Sequence, residues 1–273
     1  MNKTPYKAIV NFYWNAKTKY SLHSPFVFDF FNTVMNVNTE DRRIHQIESK
    51  RKAFINDKSE ISFLEYGAGS RVKNGNTRVV ADIAKSSLSG PWQCKLMYNL
   101  IKRYKPKTIL EIGTSLGISS AYLAVASEES SITTLEGNPS SADKARRLFE
   151  SLGISNIELI EGEFGETIDK ALATSKVIDC AFIDGNHRKQ ATIDYYHSIR
   201  KKTNNQSFII IDDIYWSVGM QEAWREIINH DSVAFSLDLF RFGIVFFDHS
   251  VMEKQHFLLI DAKWKLWSFG VFG

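Results

Sequence analysis

Residues 109–120, ILEIGTSLGISS, constrain the chain more than any other stretch. An apolar run of Ile109, Leu110 and Ile112 stops at a small-residue loop and gives way to a helical pattern, so the stretch reads as strand, turn and helix. Gly113 and Gly117 allow a tight turn and a close approach by a ligand, and Thr114, Ser115 and Ser119 can cap the helix. A helix that starts at the carboxyl end of a buried parallel strand offers unpaired N–H groups to an anionic or polar ligand. That is the nucleotide corner of an open α/β sheet.

The surrounding sequence supports such a sheet. Pro91 opens a helix that carries Trp92, Leu96, Leu100, Ile101 and Tyr104 on one face and ends at Lys105 and Pro106. Further strands are read in SITTLEGNP, in 157–164, in 177–185 and in FIIIDDI. Helices lie between them, one opening at Asn138 and Pro139 and closing at Gly153, others near 166–174, 188–202 and 218–229. VAFSLDLF and FGIVFF leave no room for a helix and predict an antiparallel hairpin about Arg241. Five strand–helix alternations closed by a hairpin give one doubly wound α/β sheet.

Residues 1 to about 60 have a different character. They are aromatic early and charged later, where Ile44, Ile47, Arg51 and Phe54 space out an amphipathic helix with Lys50, Arg51 and Lys52 on a solvated face. HSPF, residues 23–26, reads as a turn between helices, or as a lid carrying His23. The Gly-, Asn- and Ser-rich stretch 65–78 reads as a mobile loop in which Tyr66 and Arg71 could close over a ligand; it lacks the context of a P-loop. The expected division is therefore a helical extension and loop on the substrate side, 1–85, and a cofactor-binding domain with a C-terminal tail, 86–273.

A net charge of +3 selects no partner, and nucleic acid is not indicated. Cys94 and Cys180 sit in apolar patterns, as buried reduced thiols do. No signal peptide is visible and no run reaches the ~20 apolar residues of a membrane span, so a cytoplasmic protein is expected. The aromatic N-terminus and the tail WKLWSFGVFG are apolar enough to bury against a second copy of the chain or against the sheet edge.

Ligands of such sheets gather at the carboxyl ends of the strands, so the polar residues after each apolar run are the candidates. Glu136 ends the second strand, where a carboxylate can accept both hydroxyls of a ribose. The turn reads Glu111-x-Gly113-x-x-x-Gly117 and lacks the middle glycine that a pyrophosphate needs, which counts against a nicotinamide-dependent oxidoreductase. Glu111 would repel a pyrophosphate yet suit a ligand bearing a positive amino group. S-Adenosylmethionine combines an adenosine with such a group.

LEIGTSLG, TLEGNP, FIDGNH and IIIDDIYW, in this order over residues 86–248, resemble a class I S-adenosylmethionine-dependent methyltransferase of the catechol O-methyltransferase-like branch. The resemblance implies a seven-stranded, mostly parallel sheet with an antiparallel last strand, and methyl transfer to a hydroxyl of a small-molecule acceptor. It implies that Gly113, Thr114, Ser115 and Gly117 wrap the methionine part, that Glu136 and Gly137 meet the ribose and that Glu163 and Phe164 meet the adenine. Ser89 and Asp184 would also lie along the cofactor. HSPF, YGAGS and KQHF are similar to a subgroup of O-methyltransferases without an assigned substrate.

In metal-dependent relatives three strand-end positions hold a divalent cation such as Mg²⁺, and here they match Asp184, Asp212 and Asp213. Asp213 departs from the usual Asn. In the other reading of these residues Asp212 caps the next turn and Asp184 touches the cofactor alone. His187 stands where those relatives carry a lysine base; it could take a hydroxyl proton near neutral pH, or cap the helix at Arg188. Trp216 could wall the acceptor, and Tyr215 and Trp216 could equally be core. These departures leave room for a non-catalytic module that keeps the cofactor fold.

Overall fold

The computed structural model describes residues 6–21, 24–36, 40–65, 73–250 and 254–265. In chain order the elements begin with α1 (Tyr6–Asn15), α2 (Pro25–Thr33), α3 (Arg42–Asn56), β1 (Glu60–Glu65), β2 (Lys73–Val79), α4 (Val80–Ser87) and α5 (Pro91–Tyr104). They continue with β3 (Thr108–Ile112), α6 (Ile118–Ala126), β4 (Ser131–Glu136), α7 (Pro139–Leu152), β5 (Ile157–Glu161) and α8 (Phe164–Thr174). The remainder is β6 (Cys180–Ile183), α9 (Lys189–Arg200), β7 (Phe208–Asp212), α10 (Val218–Asn229), β8 (Phe235–Asp238), β9 (Phe242–Phe246) and β10 (Gln255–Leu258). These pack as two compact units, residues 36–175 and residues 1–35 with 176–273. The boundary expected near residue 85 thus falls inside the first unit.

In unit 36–175, β3, β4 and β5 run parallel in that order, with Ile112 beside Leu135 and Leu135 beside Ile160. The helix signals work as their chemistry requires. Asn138 Oδ1 accepts the Ser141 N–H at 3.0 Å to cap α7, Pro139 takes the first turn, and Gly153 closes the helix in the left-handed region. Residues 40–85 join this unit because α3 buries Ile44 and Ile47 and packs against α4 and α6. Val80, Ile83 and Ala84 of α4 form a buried cluster with Leu116, and Leu88 packs against it.

The expectation of a loop over 65–78 is corrected at its C-terminal half. Lys73–Val79 is a strand paired antiparallel to β1, with Ile61 opposite Arg78 and Ser62 opposite Thr77. Its composition, KNGNTRV, gives no strand signal, because the ladder is made by backbone groups that any residue carries. Tyr66 and Arg71 lie outside the described residues.

In unit 1–35 with 176–273 the strand order is β10-β8-β9-β7-β6. β6 and β7 are parallel, and β9 is antiparallel to both β7 and β8, which makes the expected hairpin with Asp238 opposite Gly243. β9 is the antiparallel strand that the resemblance implied. β10 is a further strand, parallel to β8. Every residue of β7 and β9 is buried, as central strands demand. Ser24 caps α2 with Pro25 in its first turn, so HSPF does start a helix; His23 lies outside the described residues. So do residues 266–273 of the tail. No helix among the described residues is long and apolar enough to cross a membrane.

Candidate functional site

Within unit 36–175 the loop after β3 turns through positive φ at Gly113 (100°), Ser115 (50°) and Gly117 (84°). A Cβ on Gly117 would stand 2.8 Å from Phe149 Cε1 and 3.0 Å from Ala145 Cβ, so both backbone angle and packing require glycine there. The N–H groups of Gly113 and Thr114 donate to the Leu135 carbonyl at 3.0 and 3.1 Å, fastening the loop to the end of β4. Gly117 is itself the N-cap of α6 and no side chain caps the helix, so Thr114, Ser115 and Ser119 do not act as caps. Thr114 instead pairs its hydroxyl with Thr134 at 2.6 Å.

Two acidic residues flank this loop. Glu136 ends β4, is 9% exposed, and accepts the Ser115 N–H at 2.7 Å on Oε2 and the Asn138 N–H at 2.8 Å on Oε1. Burial pushes its carboxyl up to about 7, against the pull of these amides. Each oxygen keeps a lone pair for a ligand hydroxyl. Glu111 is fully buried; its Oε2 accepts hydroxyl hydrogen bonds from Thr134 at 2.6 Å and from Ser120. Its Oε1 is buried with no hydrogen-bond partner among the described residues, and burial raises its pKa. Gly137 is buried beside Glu136, whereas Glu163 is exposed and N-caps α8 without a side-chain hydrogen bond, next to half-buried Phe164. Ser89, between α4 and α5, carries a buried Oγ that also lacks a partner among the described residues.

The remaining candidates belong to the other unit. Asp184 follows β6, Asp212 ends β7 and is 6% exposed, and Asp213 adopts φ +50°. Burial, with the adjacent charge of Asp213, pushes Asp212 up to about 7, while a hydrogen bond with the Asp184 side chain opposes that rise. Asp213 has its own counter-charge, the Arg241 guanidinium, 3.9 Å from its Oδ1.

His187 Nε2 lies 3.8 Å from Asp184 Oδ1, and burial holds its pKa below the ordinary imidazole value against the opposing charge of Asp213. The N-cap of α9 is Arg188, without a side-chain hydrogen bond, and α10 is capped by Ser217. His187 does not cap the helix that follows it. Trp216 is 48% exposed with its ring centroid 6.3 Å from that of His187. Tyr215 turns inward, stacks on Phe240 and donates to Asp238 Oδ2 at 2.8 Å.

The expected metal triad does not assemble. No group of three or more His, Cys, Asp or Glu side chains among the described residues converges to hold an ion. A hard cation needs several oxygens directed at one point. Here Asp184 and Asp212 face each other across a hydrogen bond and Asp213 faces Arg241.

One further residue is corrected. Arg51, read from its Lys-Arg-Lys run as part of a solvated face, is 5% exposed. Its spacing from Ile44 and Ile47 was the available signal.

Residues 110–214 match the Methyltransferase domain family. A protein-L-isoaspartate O-methyltransferase 2 of Archaeoglobus fulgidus is 26% identical over 92 residues, covering 33% of this chain and 42% of that one. The chain spans about two fifths of the length of the curated relatives it matches. An O-methyltransferase of Bacillus cereus, solved in complex with SAH, has a TM-score of 0.57 at 18% identity, covering 81% of this chain and 97% of its own. The O-methyltransferase TomG of Streptomyces achromogenes, solved with SAM, has a TM-score of 0.55 at 18% identity, covering 81% and 94%. The chain thus shares its α/β fold with these solved O-methyltransferases.

Proposed function

We propose that this protein is an S-adenosylmethionine-dependent O-methyltransferase that acts on a hydroxyl of a small molecule. The observation that carries the proposal is the pairing of the Gly113–Gly117 loop with Glu136, whose two oxygens are held in place by the Ser115 and Asn138 amides. A carboxylate fixed beside a glycine turn is built to accept a vicinal diol, and the absence of a middle glycine leaves no cradle for a pyrophosphate. S-Adenosylmethionine is also what the Streptomyces neighbour holds.

When bound, that cofactor supplies a methyl group already activated on a sulfonium. The chain has to orient the acceptor and take up a proton. His187 is the base of this proposal: burial keeps its imidazole neutral, so that it can accept the hydroxyl proton, and Asp184 at 3.8 Å stabilises the imidazolium that results. Glu163, Phe164 and Gly137 would border the nucleoside, and Trp216, exposed beside His187, would contact the acceptor. The proposal includes no divalent cation, since no cluster of three or more candidate ligands is found among the described residues. The exposed Ile9, Val10 and Trp14 of α1 suit cover by a second copy of the chain, and two free buried cysteines suit a reducing cytoplasm.

Calorimetric titration with S-adenosylhomocysteine and with NAD tests the cofactor. Heat with the former and none with NAD is expected; heat with NAD alone would overturn the proposal.

A further inference from the structure

Arg51 lies on α3 four residues after Ile47 and seven after Ile44, so helical spacing carries it onto the apolar face in spite of its charge. Its guanidinium is fully engaged there. Nε donates to the two Glu48 oxygens at 2.9 and 3.1 Å, Nη1 donates to the Ser89 carbonyl at 2.6 Å, and Nη2 reaches Cys94 Sγ at 3.3 Å. Glu48 Oε1 also accepts from the Tyr122 hydroxyl at 2.8 Å, and Tyr122 stands on α6, the helix that leaves the glycine loop. A single buried cation therefore ties together α3, the turn between α4 and α5, and α6.

That turn adjoins the glycine loop. Leu88, beside Ser89, packs against the cluster that contains Leu116, a residue of the Gly113–Gly117 loop. Ser89 has its carbonyl taken by Arg51 while its Oγ is buried without a hydrogen-bond partner among the described residues. A buried hydroxyl left in that state points to a missing partner. A ligand in the adjacent loop would supply one.

We propose that Arg51 is a positioning residue for the methyl-donor site: by holding the Ser89 carbonyl it presents the Ser89 hydroxyl to a polar atom of the bound donor. This rests on the reading of the glycine loop as the donor site. Arginine is required because three separate acceptors are met by one planar fork, whereas the point charge of a lysine cannot span Glu48, Ser89 and Cys94 together.

Calorimetry with S-adenosylhomocysteine on the full chain, alongside the Tm of each variant, tests the proposal with Arg51→Met, Arg51→Lys, Ser89→Ala and the Arg51→Met/Ser89→Ala double variant. Each single variant is expected to weaken binding about tenfold, as for loss of one hydrogen bond to a ligand. The double variant is expected to bind no worse than Arg51→Met, because both changes remove the same contact. A merely structural arginine would lower Tm and leave the affinity of the folded protein and this coupling untouched. Wild-type affinity in Arg51→Met, or fully additive losses in the double variant, would overturn the proposal. If Arg51→Met does not fold, unchanged affinity in both Arg51→Lys and Ser89→Ala does the same. A wild-type protein that takes up no S-adenosylhomocysteine would overturn the donor-site reading and this inference with it.

Discussion

Replacing Glu136 by Gln separates the charge of this carboxylate from its shape. In the folded protein burial raises its pKa from 4.5 to about 7. At about 1.4 kcal/mol per pH unit, that rise amounts to about 3 kcal/mol. The folded state holds the proton more tightly than the unfolded chain does, so this contribution is complete below about pH 4.5 and is lost as the pH rises through 7. Gln cannot titrate and loses nothing over that range. It does present an NH₂ to one of the two amides, Ser115 or Asn138, that now donate to carboxyl oxygens, and one unsatisfied buried donor costs about 1–3 kcal/mol. Urea unfolding of both proteins from pH 5 to pH 8.5 should therefore show Glu136→Gln the less stable at acid pH, with the gap narrowing by about 3 kcal/mol toward alkaline pH. Asp212, at about 7, and Asp238, at about 6, titrate in both proteins and cancel in the difference. Parallel stability profiles would refute the assignment of a buried, proton-holding carboxyl to Glu136. Ligand binding should run the other way: a diol prefers the ionised acceptor, so wild-type affinity for S-adenosylhomocysteine should improve as the pH rises through about 7, while Glu136→Gln stays flat.

Gly117→Ala places a Cβ 2.8 Å from Phe149 at φ +84°. The left-handed backbone costs about 1–2 kcal/mol and the overpacking about 1–3, which lowers Tm by roughly 5–15 °C; a Tm within a degree of wild type would contradict the packing described. His187→Ala should lower kcat about a hundredfold and abolish the acid limb of the wild-type pH–kcat profile, which falls below the ordinary imidazole range because burial lowers the His187 pKa. An unchanged profile would remove His187 from the chemistry. Turnover should be the same with Mg²⁺ as with excess chelator, since Asp213 faces Arg241 and Asp184 faces Asp212; a loss on chelation that Mg²⁺ restores would show that these carboxylates do gather around an ion.

Much of the fold was legible because its signals are local. The strand, turn and helix of 109–120, the Asn138 cap and the hairpin about Arg241 each follow from spacing and turn chemistry, and each is found in place. β2 was not legible, since a strand of Lys, Asn, Gly, Thr and Arg is held by ladder hydrogen bonds that its side chains do not announce. The site divides in the same way. Glu136 could be placed because a strand end fixes where its backbone lies; of its partners, the Asn138 amide is local and the Ser115 amide comes from the glycine loop. The three aspartates could not be assembled from position alone: whether they face one another, an arginine or an ion is a matter of side-chain direction, which φ +50° at Asp213 changes. Arg51 was missed because charge spoke for solvent, while its helical register with Ile44 and Ile47 spoke for burial. Its polar partners, Glu48, Ser89 and Cys94, settle the conflict, and two of these are distant in sequence.

In the proposed function the Gly113–Gly117 loop and Glu136 form the donor site. The most direct test is a crystal structure of the protein with S-adenosylhomocysteine. The ribose hydroxyls should lie within hydrogen-bond distance of the two Glu136 oxygens, with the amino-acid end along the glycine loop. A nucleoside bound elsewhere, with Glu136 still held only by Ser115 and Asn138, would contradict it.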